Sequence, residues 1–281
     1  MSKTLALSIR TAVILVIATL IFGCAIWWLN QQPSLQNIWN NYDFDKHELI
    51  SFCEKTDMIK FIRQPVNTFS NIVYLIVAIF ILRKIPTEKR NATTYTDYKI
   101  LFGYILLYVF CVSTFYHASL ICVALRLDYS GVYLLSLFPL MYFSPRWSDS
   151  RMARWRLKQL AFARILFSIF FIVWLLLSIL IPSGNLGILT VVIIFVCVAI
   201  AYTITKAHRG KANLQYLILS ILSVMLATLC FVSDKYKVFC NPESYVQPHA
   251  LWNVFIGVAA LFFFLYMHSE KDTESVVIKT S

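Results

Sequence analysis

The chain has 281 residues, of which 59% are hydrophobic and only 14% charged, and it carries a formal net charge of +11. A soluble domain has about 25% charged residues, so this composition excludes a soluble globular protein and points to one polytopic helical bundle in a membrane. The basic residues lie in short clusters between apolar runs, the pattern of topology signals rather than of a nucleic-acid-binding surface, so no nucleic-acid partner is expected.

Eight apolar runs follow one another, at roughly 11–29, 66–82, 101–124, 129–143, 159–181, 186–205, 214–233 and 249–267. Most approach the ~20 residues that a spanning helix needs. The expected fold class is an all-α polytopic membrane protein with a seven-transmembrane-helix core and one extra N-terminal helix. Residues 1–30 form that extra helix, 31–65 an outer loop segment, 66–268 the core and 269–281 a cytoplasmic tail. The first run has basic flanks, and Cys24 stands where a lipoprotein leader would be cleaved. The run continues apolar through Trp27, Trp28 and Leu29, beyond the 7–15 residues of a usual signal core, which favours an uncleaved signal-anchor. The fourth run is short and holds Pro139, so a kink or tilt is expected there.

Alternate loops differ in charge. Arg83, Lys84, Lys89 and Arg90 fill the second-to-third loop, Arg146, Arg151, Arg154 and Arg156 the fourth-to-fifth, and Lys206, Arg209 and Lys211 the sixth-to-seventh. The positive-inside rule then puts both termini in the cytoplasm. The sequon beginning at Asn91 falls on the predicted inner side, where sugar would overturn this topology.

In the second run, Asn67, Ser70 and Asn71 form a structural polar face. The third holds no Asp, Glu, Lys or Arg from Leu101 to Leu125, yet it contains Ser113 and His117, four apart on one helix face. Asp128 follows at the opening of the fourth run, and His249 begins the last. An imidazole inside a membrane helix is costly unless something satisfies it. All these groups fall at the predicted outer end, so four segments send polar side chains to one level of the bilayer.

Of the seven cysteines, Cys53 and Cys240 are the only two in loops. Both loops are predicted outside, where an oxidising compartment permits a disulfide; the alternative is two unpaired thiols. His117 and His249 read equally as zinc ligands or as histidines bonded to neighbouring backbone. Ser113 reads as a nucleophile beside its base or as a packing residue between helices. Asp128 reads as a catalytic carboxylate or as a helix N-terminal charge.

The pattern resembles the alkaline ceramidases, in the superfamily that also holds the adiponectin-type receptors, over about residues 50 to 268. Phe52, Cys53 and Glu54 followed by Asn67 to Asn71 resemble the family's opening block. Ser113, His117 and Asp128 resemble its central block, and Phe239 and Cys240 followed by His249 to Asn253 its closing block. The resemblance implies a seven-helix zinc amidase that splits the N-acyl bond of a ceramide-like membrane lipid. It would have His117 and His249 as metal ligands, Asp128 as base and then acid, Ser113 steadying the oxyanion, and a Cys53–Cys240 disulfide. The site would lie on the non-cytoplasmic side.

Two departures stand out. The family's closing block has a second histidine four residues after the first; here that position is Asn253, whose amide oxygen is a poor zinc ligand beside imidazole. Either Asn253 ligates weakly, or Asp128 or a water takes the place, or no zinc binds. His47 is a further ligand candidate in the outer loop, whereas His208 and His268 fall at the inner end. In the family's calcium site Glu54 matches one ligand, but Gln64 and Ser51 stand where acids are found, so calcium is not expected. Two functions follow: a zinc-dependent ceramidase-like hydrolase, or a catalytically impaired relative acting as a lipid-binding or receptor-like protein.

Overall fold

A computed structural model describes residues 3–43, 52–85, 94–143, 172 and 212–270. The apolar runs 159–181 (but for residue 172) and 186–205, the tail from 271, His47, Ser51, His208 and the sequon at Asn91 lie outside the described residues. Those residues form helices joined by loops, with no strand among them. The long helices are α1 (Lys3–Gln31), α2 (Pro65–Ser70) running through Asn71 into α3 (Ile72–Lys84), α4 (Thr94–Ser119), α5 (Cys122–Phe143), α6 (Leu214–Lys235) and α7 (Pro248–Ser269). Five stretches among the described residues are long and apolar enough to cross a membrane: Val13–Gln31, Pro65–Lys84, Tyr98–Ser119, Leu214–Lys235 and Pro248–Ser269. The protein is therefore an all-α integral membrane protein.

The fourth run is longer than its hydropathy suggests. Helix α5 begins at Cys122 and spans 22 residues, about 33 Å at 1.5 Å per residue. Arg126 points outward and is exposed, so its charge interrupts the apolar pattern without interrupting the helix. Asp128 consequently sits inside α5, in its second turn, and not at a helix start.

Pairwise packing runs α3 on α4, α4 on α5 and α6 on α7, with α7 also touching α2 and α3. Helix α7 comes close at Gly257: a Cβ there would lie 2.4 Å from Val73 Cγ2. That absence of a side chain lets α7 sit against α3. His249, Asn253 and Gly257 follow at four-residue spacing, so one face of α7 turns toward α2 and α3. Away from the site the core is aromatic. Phe102, Phe138 and Phe263 meet with ring centroids 4.6 to 6.2 Å apart, and Tyr142 bonds the Glu270 carboxylate.

Candidate functional site

The site is built where α4 stops. A helix leaves its last carbonyls without intrahelical partners, and here the loop before α2 supplies them. The Gln64 N–H donates to His117 O at 3.2 Å and the Arg63 N–H to Ala118 O at 3.1 Å. Arg63 Nη1 donates to Ser119 O at 2.8 Å. Leu120 then takes a left-handed φ of 54° and ends the helix. The Arg63 side chain is fully buried, and a cation at a helix C-terminus is favourable. Burial draws its pKa down to about 10, which leaves it charged at neutral pH.

Those contacts hold His117 beside His249. The two Nε2 atoms are 3.1 Å apart and the ring centroids 4.8 Å; the rings come from helices 132 residues apart. His117 is fully buried and His249 nearly so. Phe52 closes over both, with its ring centroid 4.6 Å from that of His249 and 5.3 Å from that of His117.

Each imidazole has an oxygen behind its Nδ1. His117 Nδ1 is 2.9 Å from Gln64 Oε1, which also accepts from Asn67 Nδ2 at 3.2 Å. His249 Nδ1 faces Asp234 Oδ2 at 3.8 Å. The other Asp234 oxygen accepts the Cys53 N–H at 2.8 Å. With Gln64 as acceptor, the proton of His117 is on Nδ1 and its Nε2 bears a lone pair. A proton on His249 Nε2 would complete a hydrogen bond between the rings but aim the Nδ1 lone pair at a carboxylate. A proton on His249 Nδ1 suits Asp234 and turns two Nε2 lone pairs toward each other, which calls for a cation between them.

A divalent ion fits this donor pair. Two Zn–N bonds of about 2.0–2.1 Å at a tetrahedral angle separate the nitrogens by about 3.3 Å, close to the spacing seen. Carbonyl or carboxylate oxygens behind ligating imidazoles are the usual outer partners of such ions. Among the described residues, however, no three His, Cys, Asp or Glu side chains converge as a ligand set.

Asn253 lies one turn beyond His249. Its Nδ2 donates to Ser70 Oγ at 2.9 Å, and the Tyr74 hydroxyl donates to its Oδ1 at 3.3 Å, leaving that oxygen one free lone pair. Ser70 Oγ in turn donates to Asn67 O, and Asn71 Nδ2 to the same carbonyl. Asn67, Ser70 and Asn71 are all buried, as the polar face on α2 requires. Asp128 lies on α5 and is half-buried. Ser113 is buried on α4, one turn before His117. His268 lies at the far end of α7, where its ring stacks on Phe264 at 5.6 Å.

Glu54, the calcium-like candidate, uses both oxygens as an N-terminal cap on α2. Oε1 accepts the Val66 N–H at 2.7 Å and Oε2 the Asn67 N–H at 2.8 Å. Burial outweighs these bonds and pushes its pKa up to about 7. Gln64 donates from Nε2 to Thr56 Oγ1 at 3.3 Å. Cys53 and Cys240 form a disulfide with their Cα atoms 5.5 Å apart, and the Lys55 N–H donates to Pro242 O at 3.1 Å.

Sequence reasoning passed over Asp234 and Tyr74 and took Gln64 only as a lost carboxylate. Asp234 did carry a signal, being an acid at the end of an apolar run. Below these groups a cavity opens between α3, α4, α5, α6 and α7. Tyr74 and Trp252 line it near the histidines, and Phe102 and Phe263 line it further in. The Ser136 and Ser220 hydroxyls on its wall are tied to Val132 O and Ala259 O, so the lining is otherwise apolar.

A model of the family described as Ceramidase matches residues 48–275, more than four-fifths of the chain. No curated protein matches it.

Proposed function

Because the chain belongs to the ceramidase family, we propose that it is a zinc-dependent amidase that hydrolyses the N-acyl bond of a ceramide-like membrane lipid, giving a sphingoid base and a fatty acid. The observation that carries this reading is the facing pair of Nε2 atoms 3.1 Å apart, each ring backed at Nδ1 by an oxygen-bearing side chain.

His117 and His249 would hold the ion, with Gln64 and Asp234 fixing the ring orientations. A bound zinc would polarise the amide carbonyl and lower the pKa of its water to about 7. Asp128 would accept the proton of the attacking water as the new C–O bond forms and then return it to the nitrogen as the C–N bond breaks, so that the amine leaves neutral. Ser113 would donate a hydrogen bond to the carbonyl oxygen as negative charge gathers there. The apolar cavity suits an acyl chain, and the tethered serine hydroxyls offer it no free polar group.

The site would face the non-cytoplasmic side, with both termini in the cytoplasm. The Cys53–Cys240 disulfide supports this, because it lies at the same end as the histidines and such bonds persist in oxidising compartments. Calcium is not expected, since Glu54 is committed to capping α2.

Asn253 favours a second reading, a lipid-binding relative without hydrolysis, because the amide replaces an imidazole and is already bonded to Ser70 and Tyr74. Metal analysis of the purified protein, together with fatty-acid release from a labelled ceramide, decides between them. Bound zinc and release that is lost in His117→Ala support the amidase; neither zinc nor release leaves the lipid-binding reading.

A further inference from the structure

Residues 30–40 precede the family-matched region, yet they are bonded to the loop that carries Gln64. Asn30, at the end of α1, grips both backbone groups of Ile62: its Oδ1 accepts the N–H at 2.7 Å and its Nδ2 donates to the carbonyl at 3.3 Å. The Asn37 N–H donates to Ile59 O at 2.8 Å. Trp39 Nε1 donates to Phe61 O at 2.7 Å, and Asn40 Oδ1 accepts from Arg63 Nη2 at 2.9 Å. Residues 59, 61, 62 and 63 are thus each held by the N-terminal segment.

Packing reinforces these bonds. Ile26 is buried with Ile62 and Ala118, and the Trp39 ring lies 5.3 Å from Phe61 and 5.9 Å from Phe115. The geometry points to residues 30–40 as an outer brace of the site. They fix segment 59–63, whose continuation sets Gln64 against His117, so the N-terminal segment positions a metal-binding imidazole without touching it. A helix serving only as a membrane anchor needs no asparagine at its end clamping one distant residue. Segment 59–63 is irregular, so its backbone groups lack ladder partners, and these bonds order its residues 59, 61 and 62 beside those that tie Arg63 to the end of α4.

This inference rests on the metal-dependent reading above for its effect on zinc, but not for its effect on the loop. The test uses the full-length protein with Asn30→Ala and Asn40→Ala combined, and Asn30→Asp as the conservative control that keeps the acceptor for the Ile62 N–H. Peptide-resolved hydrogen exchange over 59–64 is read beside zinc affinity by chelator competition and the kcat and KM of fatty-acid release. In the double variant, exchange over 59–64 should accelerate at least tenfold while α6 and α7 are unaffected. Zinc affinity should fall about tenfold, the lower end for loss of an outer partner. The loss in kcat should appear at unchanged KM, because the lipid cavity is lined by other helices, and Asn30→Asp should stay near wild type.

Wild-type exchange over 59–64 together with wild-type zinc affinity in the double variant overturns the brace. Should that variant fail to accumulate, Trp39→Phe, which removes one donor and keeps a ring, carries the same expectation at smaller size, and unchanged exchange there overturns the inference. Wild-type protein that binds no zinc refutes the amidase reading instead, and exchange alone then judges the brace.

Discussion

Replacing Gln64 by leucine tests how His117 is held. Gln64 is fully buried, and its Oε1 serves His117 Nδ1 at 2.9 Å and Asn67 Nδ2 at 3.2 Å. Leucine conserves bulk but strands both donors where water does not reach. An orphaned buried donor costs about 1–3 kcal/mol, so two of them should cost about 2–6 kcal/mol of stability. The metal site should lose more than stability. With no acceptor behind it the imidazole is free to take the other tautomer, which puts a proton on Nε2, and outer-partner losses of this kind lower metal affinity about 10- to 100-fold. Gln64→Glu keeps an acceptor for both donors and should retain most of the affinity. Chelator competition on detergent-purified protein, with thermal unfolding in parallel, measures the two effects separately. A Gln64→Leu protein that is folded and binds zinc as tightly as wild type would refute the assignment of Gln64 as the partner that sets the tautomer of His117.

Asn253→His should raise zinc affinity by at least tenfold in the same competition assay, since imidazole replaces an amide at the turn after His249; no gain would sink the view that Asn253 stands at a ligand position. Mutating Cys53 to serine should lower the unfolding free energy by about 2–5 kcal/mol, because the bridge closes a loop of 187 residues, and an unchanged denaturation midpoint would count against it. Glu54 should show in the pH dependence of stability. Its folded pKa of about 7 lies above the ordinary 4.5, so its contribution is fully present below about 4.5 and is lost as pH rises through 7. Glu54→Gln should therefore flatten the fall in melting temperature between pH 5 and 8, and a wild-type slope would show that the carboxyl is not strained by burial.

The parts of the molecule legible in the sequence are those whose burial is expensive. His117 sits in an apolar run with no neighbouring charge, and His249 heads another, so each demanded a partner and the structure pairs them. Asn67, Ser70 and Asn71 repeat at helical spacing and were readable for that reason. Cys53 and Cys240 stood out as the two loop cysteines. In the sequence Asp128 reads as the opening of the fourth run, because Arg126 interrupts the apolar pattern, whereas an exposed arginine leaves a helix intact. Gln64, Tyr74 and Asp234 have no periodic signature, and a neutral amide in a loop announces nothing about an imidazole 53 residues away. The brace of Asn30, Trp39 and Asn40 was hidden for the same reason. Side-chain bonds to an irregular backbone depend on where the chain returns in space, not on spacing along it.

Segment 52–64 serves both histidines at once. Its Phe52 ring covers the pair, its Cys53 N–H holds the Asp234 oxygen whose partner oxygen faces His249, and its Gln64 holds His117. The disulfide fixes one end of this segment to the loop before α7, and Arg63 fixes the other to the end of α4. A two-imidazole site is a weak chelate if its rings are free to turn, because each must be ordered on binding. Here the ordering is done at folding, by one loop with both ends pinned. That arrangement bears most on Asn253: with an amide where the proposed zinc site would take a third imidazole, preorganisation of the remaining two would be the means left for holding an ion.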